Sequence, residues 1–314
     1  MSLYPPPEPL RTEVFTRLPD ALRIAPGERA CAWGEANRPG VHLDSFLEGP
    51  SFDRAGNLYL VDIPYGRVFR VSPAGEWAVV ADYEGWPNGL KLHRDGWAGI
   101  ADYRRGILRL DVASGASQPE PLLTTRVSEG FKGCNDLIFD RTGNLFFTDQ
   151  GQTGMHDPTG RVYRLESGSG RLDCLVANGP SPNGLALSPA EDVLYVGMTR
   201  GNAVWRLPLR DGGAGTTKVG VFTALAGGVS GADGLAVDQE GRVFVCDAGN
   251  GCVWCFTERG RPVYRIDVCT GGPTVTNLAF GGPDNRRLHI VDSAQGAVVV
   301  AELDVPGLPL FSHA

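Results

Sequence analysis

Short apolar segments of about five residues alternate with polar turns along most of this chain. Three of the turns share one pattern, an aspartate followed three residues later by a glycine and then by Asn or Arg. The turns run from Asp53 to Asn57, Asp140 to Asn144 and Asp238 to Arg242, and each precedes an apolar segment. Glycine readily adopts the positive φ that such a turn requires, so each pattern predicts a β-hairpin.

The hairpins belong to a longer repeat. Six times a residue with a side-chain oxygen is followed by a second, mostly small residue and then by an apolar strand. The first residues of these six phrases lie 40 to 50 residues apart and are Glu48, Asn88, Asn135, Asn183, Asp233 and Thr276. Second and third strands follow in every unit, and most units show a fourth. This pattern predicts an all-β fold, a six-bladed β-propeller with four antiparallel strands per blade.

We expect the whole chain, residues 1–314, to form this single propeller domain, because no linker or change in composition divides it. Residues 1–10 are rich in proline and are expected to form an extended tail. The strand-like segment from Glu13 to Leu18 precedes the first unit, and the last unit ends with little chain after it. We therefore predict that this segment is the outer strand of blade six, which closes the ring. Residues 22–47 are expected to be irregular.

In a propeller, the innermost strand of each blade runs along the central channel, so equivalent residues form a ring around it. The six phrase residues should therefore meet at one mouth of the channel. Asn and Asp before Gly are also common turn residues, which explains Asn88, Asn183 and Asp233 one at a time. That explanation does not cover Glu48, or Asn135, which precedes Asp. Oxygen ligands crowded at one point favour a hard divalent cation.

The connections between second and third strands should lie beside the same mouth. The longest runs from Gln150 to Thr159 and is expected to form a lid or a pocket wall. Gln150 and His156 on this connection are candidate substrate contacts, although an exposed loop histidine is also ordinary. Ser293 belongs to the equivalent connection of the last blade.

Composition limits the possible partners. The net charge is −7, and no basic run is present, so nucleic acid and anionic membrane surfaces are not expected as partners. No apolar stretch approaches the about 18 residues of a membrane span. Seven scattered cysteines do not form a disulfide framework, so we expect a reduced, cytoplasmic protein.

Four phrases resemble those of a known family. They are Glu48-Gly49-Pro50, Gly133-Cys134-Asn135-Asp136, Pro182-Asn183-Gly184 and Ala232-Asp233-Gly234. In this order and spacing they are similar to the metal-binding phrases of the gluconolactonase/regucalcin (senescence marker protein) family, which also includes a diisopropyl fluorophosphatase. The resemblance implies a six-bladed propeller that hydrolyses lactones with one divalent cation in its channel. Ca²⁺ is the first candidate, and Mg²⁺, Mn²⁺, Zn²⁺ and Fe²⁺ are alternatives.

By this resemblance the metal ligands are Glu48, Asn135, Asn183 and Asp233, and Asp233 is also the catalytic base or nucleophile. Such a site polarises the lactone carbonyl while the carboxylate deprotonates the attacking water. The remaining candidates are assigned to substrate binding and are Asn88, Gln150, His156, Thr276 and Ser293.

Two positions depart from the family. The fluorophosphatase has a histidine where this chain has Ser293, which disfavours phosphotriester hydrolysis as the main activity. Regucalcin has an arginine where this chain has Gly133, so a sugar contact at that position is not expected. The sequence therefore predicts a hydrolase for a small lactone, with a sugar aldonolactone as one example. The alternatives are an organophosphate or aryl-ester hydrolase and a non-catalytic calcium-binding propeller. The sequence does not indicate an oligomeric state.

Overall fold

The structure is a computed structural model that describes residues 5–225, 227 and 231–313. Six antiparallel sheets succeed one another along the chain, and each has four strands in the predicted order from inside to outside. The innermost strand of every blade contacts the innermost strands of both neighbouring blades, and that of blade six contacts that of blade one. The ring is therefore closed, and the prediction of a six-bladed β-propeller is confirmed.

The strands of the blades have the following bounds. The innermost strands are Leu47–Phe52, Pro87–Leu92, Cys134–Phe139, Pro182–Leu187, Gly231–Val237 and Val275–Gly281. The second strands are Leu58–Asp62, Ala98–Asp102, Leu145–Asp149, Val193–Met198, Val243–Ala248 and Arg287–Asp292. The third strands are Arg67–Val71, Gly106–Leu110, Gly160–Leu165, Ala203–Arg210, Cys252–Phe256 and Ala297–Glu302. The outer strands are Trp77–Asp82, Glu120–Leu123, Leu172–Gly179, Gly220–Ala224, Pro262–Asp267 and Glu13–Arg17.

Several short elements accompany the blades. Extra strands are Glu8–Leu10, Thr125–Arg126, Glu129–Gly130 and Gly215–Thr216. One α-helix is present in the described residues, Ala32–Asn37, together with the 3-10 turns Asp20–Leu22, Ile63–Tyr65, Thr199–Gly201, Asp211–Gly213 and Phe311–His313. No helix in the described part of the chain is both long enough and apolar enough to cross a membrane.

The three aspartate-containing turns form hairpins as predicted. In the third blade, Asp140 Oδ1 accepts hydrogen bonds from the backbone N–H groups of Thr142 and Asn144, both at 2.9 Å. Gly143 has φ of +86°, which the turn requires. Asp53 and Asp238 accept the equivalent pairs of backbone hydrogen bonds in blades one and five. The local sequence therefore determines the connection between the first two strands of these blades.

The N-terminal segment closes the propeller. The strand Glu13–Arg17 pairs antiparallel with Ala297–Glu302, so the predicted outer strand of blade six is confirmed. Residues 8–10, expected within an extended tail, instead add a fifth strand to blade five, parallel to Pro262–Asp267. This strand has only three residues and contains Pro9, so it is too short to show a periodic pattern. It covers a sheet edge that would otherwise be open.

The C-terminal segment closes the other end of the channel. Residues 304–313, here called the C-terminal plug, cross the ends of the innermost strands. Leu308 N–H donates to Val237 O at 2.9 Å, and Gly307 N–H donates to Asn285 O at 2.8 Å. Leu308 and Leu310 line a cavity of about 50 Å³ together with residues from the innermost strands. The sequence analysis did not assign this segment. In the described part of the chain, the plug covers one end of the channel and leaves the other open to a ligand. The open end, where the six phrase residues lie, is called the phrase end.

Phe311 is expected to stabilise the plug. Its ring is 4% exposed, and the ring centroid lies 4.6 Å from that of His93 and 5.8 Å from that of Phe139. Phe311→Ala should lower the free energy of unfolding by about 3 kcal/mol, since a buried aromatic ring is lost. Urea denaturation measures this, with Met155→Ala at a 71% exposed position as the control. Equal stability of Phe311→Ala and the wild type would contradict the packing of the plug.

Candidate functional site

The six phrase residues lie at equivalent places in the fold. Five of them are the second residue of an innermost strand, and Asp233 is the third residue of its strand. All six line one open cleft of about 310 Å³ at the mouth of the channel: Glu48, Asn88, Asn135, Asn183, Asp233 and Thr276. The structure therefore brings together the residues that the repeat singled out.

A glycine follows four of the six phrase residues, and its lack of a side chain explains how the ring forms. A Cβ atom on Gly49 would lie 2.5 Å from the backbone oxygen of Asn88 in the next blade. A Cβ atom on Gly184 would lie equally close to the backbone oxygen of Asp233. Neighbouring innermost strands thus approach so closely at this level that only glycine fits. The pairing of first and second strands is also irregular at this level in every blade.

Two blades have a polar residue in place of this small residue, and both polar side chains lie beneath the ring. Asn277 Nδ2 donates to Glu48 Oε2 at 2.9 Å and to Asp136 Oδ2 at 3.3 Å. Lys91 Nζ lies 3.9 Å from Asp136 Oδ1 and donates to Pro50 O at 3.3 Å. This buried layer orients Glu48 from below. The sequence analysis gave Asp136 and Asn277 no role, although their departure from the repeated small residue was a signal for them.

Three buried carboxyl groups therefore lie close together. Burial, and then the charge of Asp136, raises the pKa of Glu48 to about 8. Burial, and then the charges of Glu48 and Asp136, raises the pKa of Asp233 well above its usual value. Burial also raises the pKa of Asp136, against the opposing effect of Lys91. An additional positive charge at the ring would favour the ionisation of Glu48 and Asp233 together.

The donor atoms of the ring fit such a charge. Asn135 Nδ2 donates to Gln150 Oε1 at 3.0 Å, while the buried Asn135 Oδ1 has no hydrogen-bond partner among the described residues. Asn183 Nδ2 donates to Thr199 Oγ1 at 3.1 Å. Within the described ranges, no three His, Cys, Asp or Glu side chains are grouped so that they could hold a metal ion. A cation at the ring would therefore be bound by two carboxylates and by amide oxygens, a set typical of hard cations.

The other predicted site residues are placed unequally. Gln150 lines the cleft, whereas His156 is exposed on its loop and is not among the described residues that line it. Thr276 lines the cleft, but its hydroxyl shares a hydrogen bond of 2.8 Å with Ser293. Ser293 is 4% exposed, lies behind Thr276 and donates to Leu47 O. The structure thus places Ser293 in support of Thr276 and outside the described lining of the cleft.

Residues 22–47, here called the lead-in segment, contribute cleft residues that sequence reasoning missed. Trp33, Asn37 and Arg38 line the cleft, and Arg200 lines it from blade four. The Arg38 guanidinium lies 5.0 Å from the ring centroid of Phe46. Trp33 and Asn37 belong to the short helix Ala32–Asn37, and Arg38 follows it. The sequence predicted this stretch to be irregular, so no periodicity indicated the position of these residues.

The raised pKa of Glu48 predicts a pH dependence of stability in metal-free protein. The unfolded chain has the ordinary value of 4.5 and the folded chain a value of about 8. Between these values the folded state binds more protons, so the free energy of unfolding falls as pH rises. Glu48→Gln should make that fall shallower by about 1.4 kcal/mol per pH unit.

Urea denaturation in the presence of a chelator, at several pH values between about 5 and 8, measures this slope. Glu84→Gln is the control, because the Glu84 side chain is 88% exposed. A wild-type slope in the Glu48→Gln protein would contradict the raised pKa.

Comparison with known proteins adds to this geometry. The profile of a family described as SMP-30/Gluconolactonase/LRE-like region matches residues 46–294. A protein named lactonase drp35 from Staphylococcus aureus is 30% identical over 249 residues, which are 74% of this chain and 72% of that protein.

Two solved structures are similar over most of the chain. A gluconolactonase from Xanthomonas campestris superimposes with a TM-score of 0.71 at 26% identity, covering 83% of this chain and 86% of the other. A regucalcin from Agrobacterium tumefaciens, described as a calcium-binding protein, has a TM-score of 0.72 at 25% identity and coverages of 85% and 93%. The family match includes the ring, from Glu48 to Thr276. This chain therefore belongs to the SMP-30/Gluconolactonase/LRE-like family.

Proposed function

We propose that this protein is a metal-dependent lactonase that opens a small lactone, such as a sugar aldonolactone. The observation that supports this most directly is the ring itself. Two carboxyl groups with raised pKa values converge at the base of a cleft with the Asn135 amide oxygen, which has no hydrogen-bond partner in the described part of the chain. The cleft volume of about 310 Å³ suits a small molecule. The family match and the lactonase relative support lactone hydrolysis as the reaction.

The proposed ligands of the cation are Glu48, Asn135, Asn183 and Asp233. A divalent cation supplies Lewis acidity, polarising the lactone carbonyl and stabilising the negative charge that develops on its oxygen. Asn277 holds Glu48 in place through the 2.9 Å hydrogen bond to Oε2. Gln150 holds the Asn135 amide so that its oxygen is available. Ca²⁺ is the first candidate, because the donors are all oxygens and the regucalcin neighbour is described as calcium-binding.

Asp233 is proposed as the general base. Its carboxylate accepts a proton from the water that attacks the carbonyl carbon and returns it to the leaving oxygen as the ring opens. Arg200 favours the ionised form of Asp233, since its charge lowers the pKa against the effect of burial. Asn88 and Gln150 line the walls of the cleft, where they can hydrogen-bond to hydroxyl groups of the substrate.

The main alternative is a non-catalytic calcium-binding propeller, which the description of the regucalcin neighbour favours. Such a propeller would need the same ring of oxygen ligands but no catalytic base. An organophosphate or aryl-ester hydrolase has less support. Ser293 stands where the fluorophosphatase has a histidine, and its side chain is buried behind Thr276.

We also propose a cytoplasmic location. All seven cysteines are free, and four of them are buried, which suits a reducing compartment. A small lactone is the proposed partner, and the net charge of −7 gives no support for nucleic acid as a partner.

Asp233→Asn should lower kcat for lactone opening by about 10²- to 10⁴-fold, since the general base is lost. The rate is measured by a pH indicator with the spontaneous rate subtracted. Asp284→Asn, an exposed carboxylate at the other end of the propeller, is the control and should keep full activity. Unchanged turnover in Asp233→Asn would exclude the proposed base.

Removal of bound metal should abolish turnover, and return of the physiological cation should restore it. A chelator-treated sample is tested with Ca²⁺, Mg²⁺, Mn²⁺, Zn²⁺ and Fe²⁺ in turn, and its metal content is measured by elemental analysis. Full activity without metal would refute metal dependence. Absence of turnover on every lactone and ester tested, with Ca²⁺ bound, would favour the binding propeller.

A further inference from the structure

The cleft has an apolar wall on one side. Trp33 and Phe46 line it from the lead-in segment, and Ile63 lines it from the turn that follows the second strand of blade one. The ring centroids of Trp33 and Phe46 lie 4.9 Å apart. Phe46 and Ile63 are buried, whereas Trp33 is only half-buried. A ligand in the cleft therefore meets mainly the indole of Trp33 on this side.

The wall is fixed to blade one on both sides of Trp33 in the sequence. After Trp33, the Phe46 N–H group donates to the buried Asp62 Oδ1 at 2.7 Å. Before Trp33, Arg29 pairs with Asp82 of the outer strand, with 3.0 Å between Nη1 and Oδ2. The indole is thus held at the mouth before a ligand arrives, which lowers the entropic cost of binding.

The opposite side of the cleft is polar. In a ring of six blades, blade four lies across the channel from blade one, and Ser181 lines the cleft directly before the first strand of blade four. Its φ is +64°, in the left-handed region that few residues other than glycine adopt. Its N–H group donates to Thr153 Oγ1 at 3.2 Å, and its carbonyl oxygen accepts from Thr199 N–H at 3.0 Å. Its hydroxyl has no hydrogen-bond partner in the described part of the chain.

These two sides suit a ring with one apolar face and polar edges. The C–H face of a hydroxylated lactone ring can pack against an indole, which offers a large and rigid apolar surface. Its hydroxyl groups need hydrogen-bond partners when they leave water. Ser181 can supply one partner, and the Asn88 amide, which lines the cleft from blade two and is also unpartnered among the described residues, can supply another. Strain at Ser181 fits this role, because strained residues are concentrated at ligand sites.

We propose that Trp33 and Ser181 determine the specificity of the cleft, and that the substrate is a hydroxylated lactone bound between them. The C–H face of the lactone ring packs against Trp33, and a hydroxyl group on the opposite edge hydrogen-bonds to Ser181. The ester carbonyl lies at the ring of phrase residues. The reaction rests on the proposed lactonase function, but the binding of the hydroxylated ring does not.

A binding measurement tests the aromatic contact. Glucono-δ-lactam keeps the ring and the hydroxyl groups of a sugar lactone, but its amide resists hydrolysis. Calorimetry on Ca²⁺-loaded protein should show that Trp33→Ala weakens its binding about tenfold, while Trp33→Phe stays within about threefold of the wild type. Trp97→Ala, which removes a half-buried tryptophan at the plug end, is the control and should bind normally. Equal binding by Trp33→Ala and the wild type would overturn the inference.

Ser181→Gly tests the hydroxyl contact. Glycine adopts a positive φ without strain, so the melting temperature should stay equal or rise. Binding of glucono-δ-lactam should nevertheless weaken about three- to tenfold, since one hydrogen bond is lost. Lys218→Gly, at an exposed residue with φ of +49°, is the matched control and should leave binding unchanged. Normal binding by Ser181→Gly would overturn the contact. A lower melting temperature together with weaker binding would do the same, because it would indicate a structural role.

Turnover tests the substrate class. Glucono-δ-lactone and δ-valerolactone have the same ring, and only the first has hydroxyl groups. Relative to the spontaneous rate of each lactone, wild-type kcat/KM should be higher for glucono-δ-lactone. Trp33→Ala should lower kcat/KM for both lactones, and Ser181→Gly for glucono-δ-lactone alone, mainly through KM. Equal use of the two lactones by the wild type would overturn the substrate class.

The two measurements separate this inference from the proposed activity. Binding of glucono-δ-lactam that depends on Trp33 and Ser181 supports the inference even if no lactone is hydrolysed, in which case only the lactonase proposal fails. Hydrolysis of δ-valerolactone without any binding of glucono-δ-lactam overturns the inference and leaves the lactonase proposal intact.

Discussion

The site depends on the close approach of neighbouring innermost strands. At Gly184 there is no room for a Cβ atom, because the backbone of Asp233 in the next blade occupies the space. Gly234 meets Asn277 of blade six in the same way. Each contact aligns a blade with its neighbour at one level of the channel. The residue before the small position is therefore held at the same height in every blade, and six side chains surround one point.

This packing also brings the carboxyl groups of Glu48, Asp136 and Asp233 close together. Two other buried carboxylates of the fold, those of Asp62 and Asp102, accept several hydrogen bonds from their surroundings. Asp62 accepts hydrogen bonds from Phe46 N–H at 2.7 Å and from Arg67 Nε at 2.8 Å. Asp102 accepts two backbone hydrogen bonds from the turn that follows it, both at 2.9 Å. Glu48 and Asp233 differ, because the charges of neighbouring carboxyl groups add to burial in raising their pKa values. A buried carboxylate can thus be a structural anchor, as at Asp62 and Asp102, or a candidate ligand for a cation, as we propose for Glu48 and Asp233.

The sequence predicted whatever depends on local repetition. The period gave the number of blades, and the aspartate turns gave their first hairpins. Features without a period were not predictable. Arg38 reaches the cleft because an irregular segment folds over it, and Phe311 is buried because a strand-free tail crosses the channel. The direction of individual side chains was not predictable either, because a residue on a connection near the mouth can direct its side chain away from the cleft. His156 is exposed for this reason, while Gln150 on the same connection lines the cleft.

The two ends of the channel have opposite character, and this determines how a ligand can enter. The plug end is lined by apolar residues such as Leu308 and Leu310, and its cavity of about 50 Å³ is much smaller than the cleft of about 310 Å³ at the other end of the channel. The phrase end is open and polar. We expect substrate, water and product to use this end, where Arg38 of the lead-in segment helps to line the cleft. The repeated phrases determine the ring of six side chains. The residues of the lead-in segment do not belong to the repeat, and they lie above this ring, where they can select the substrate.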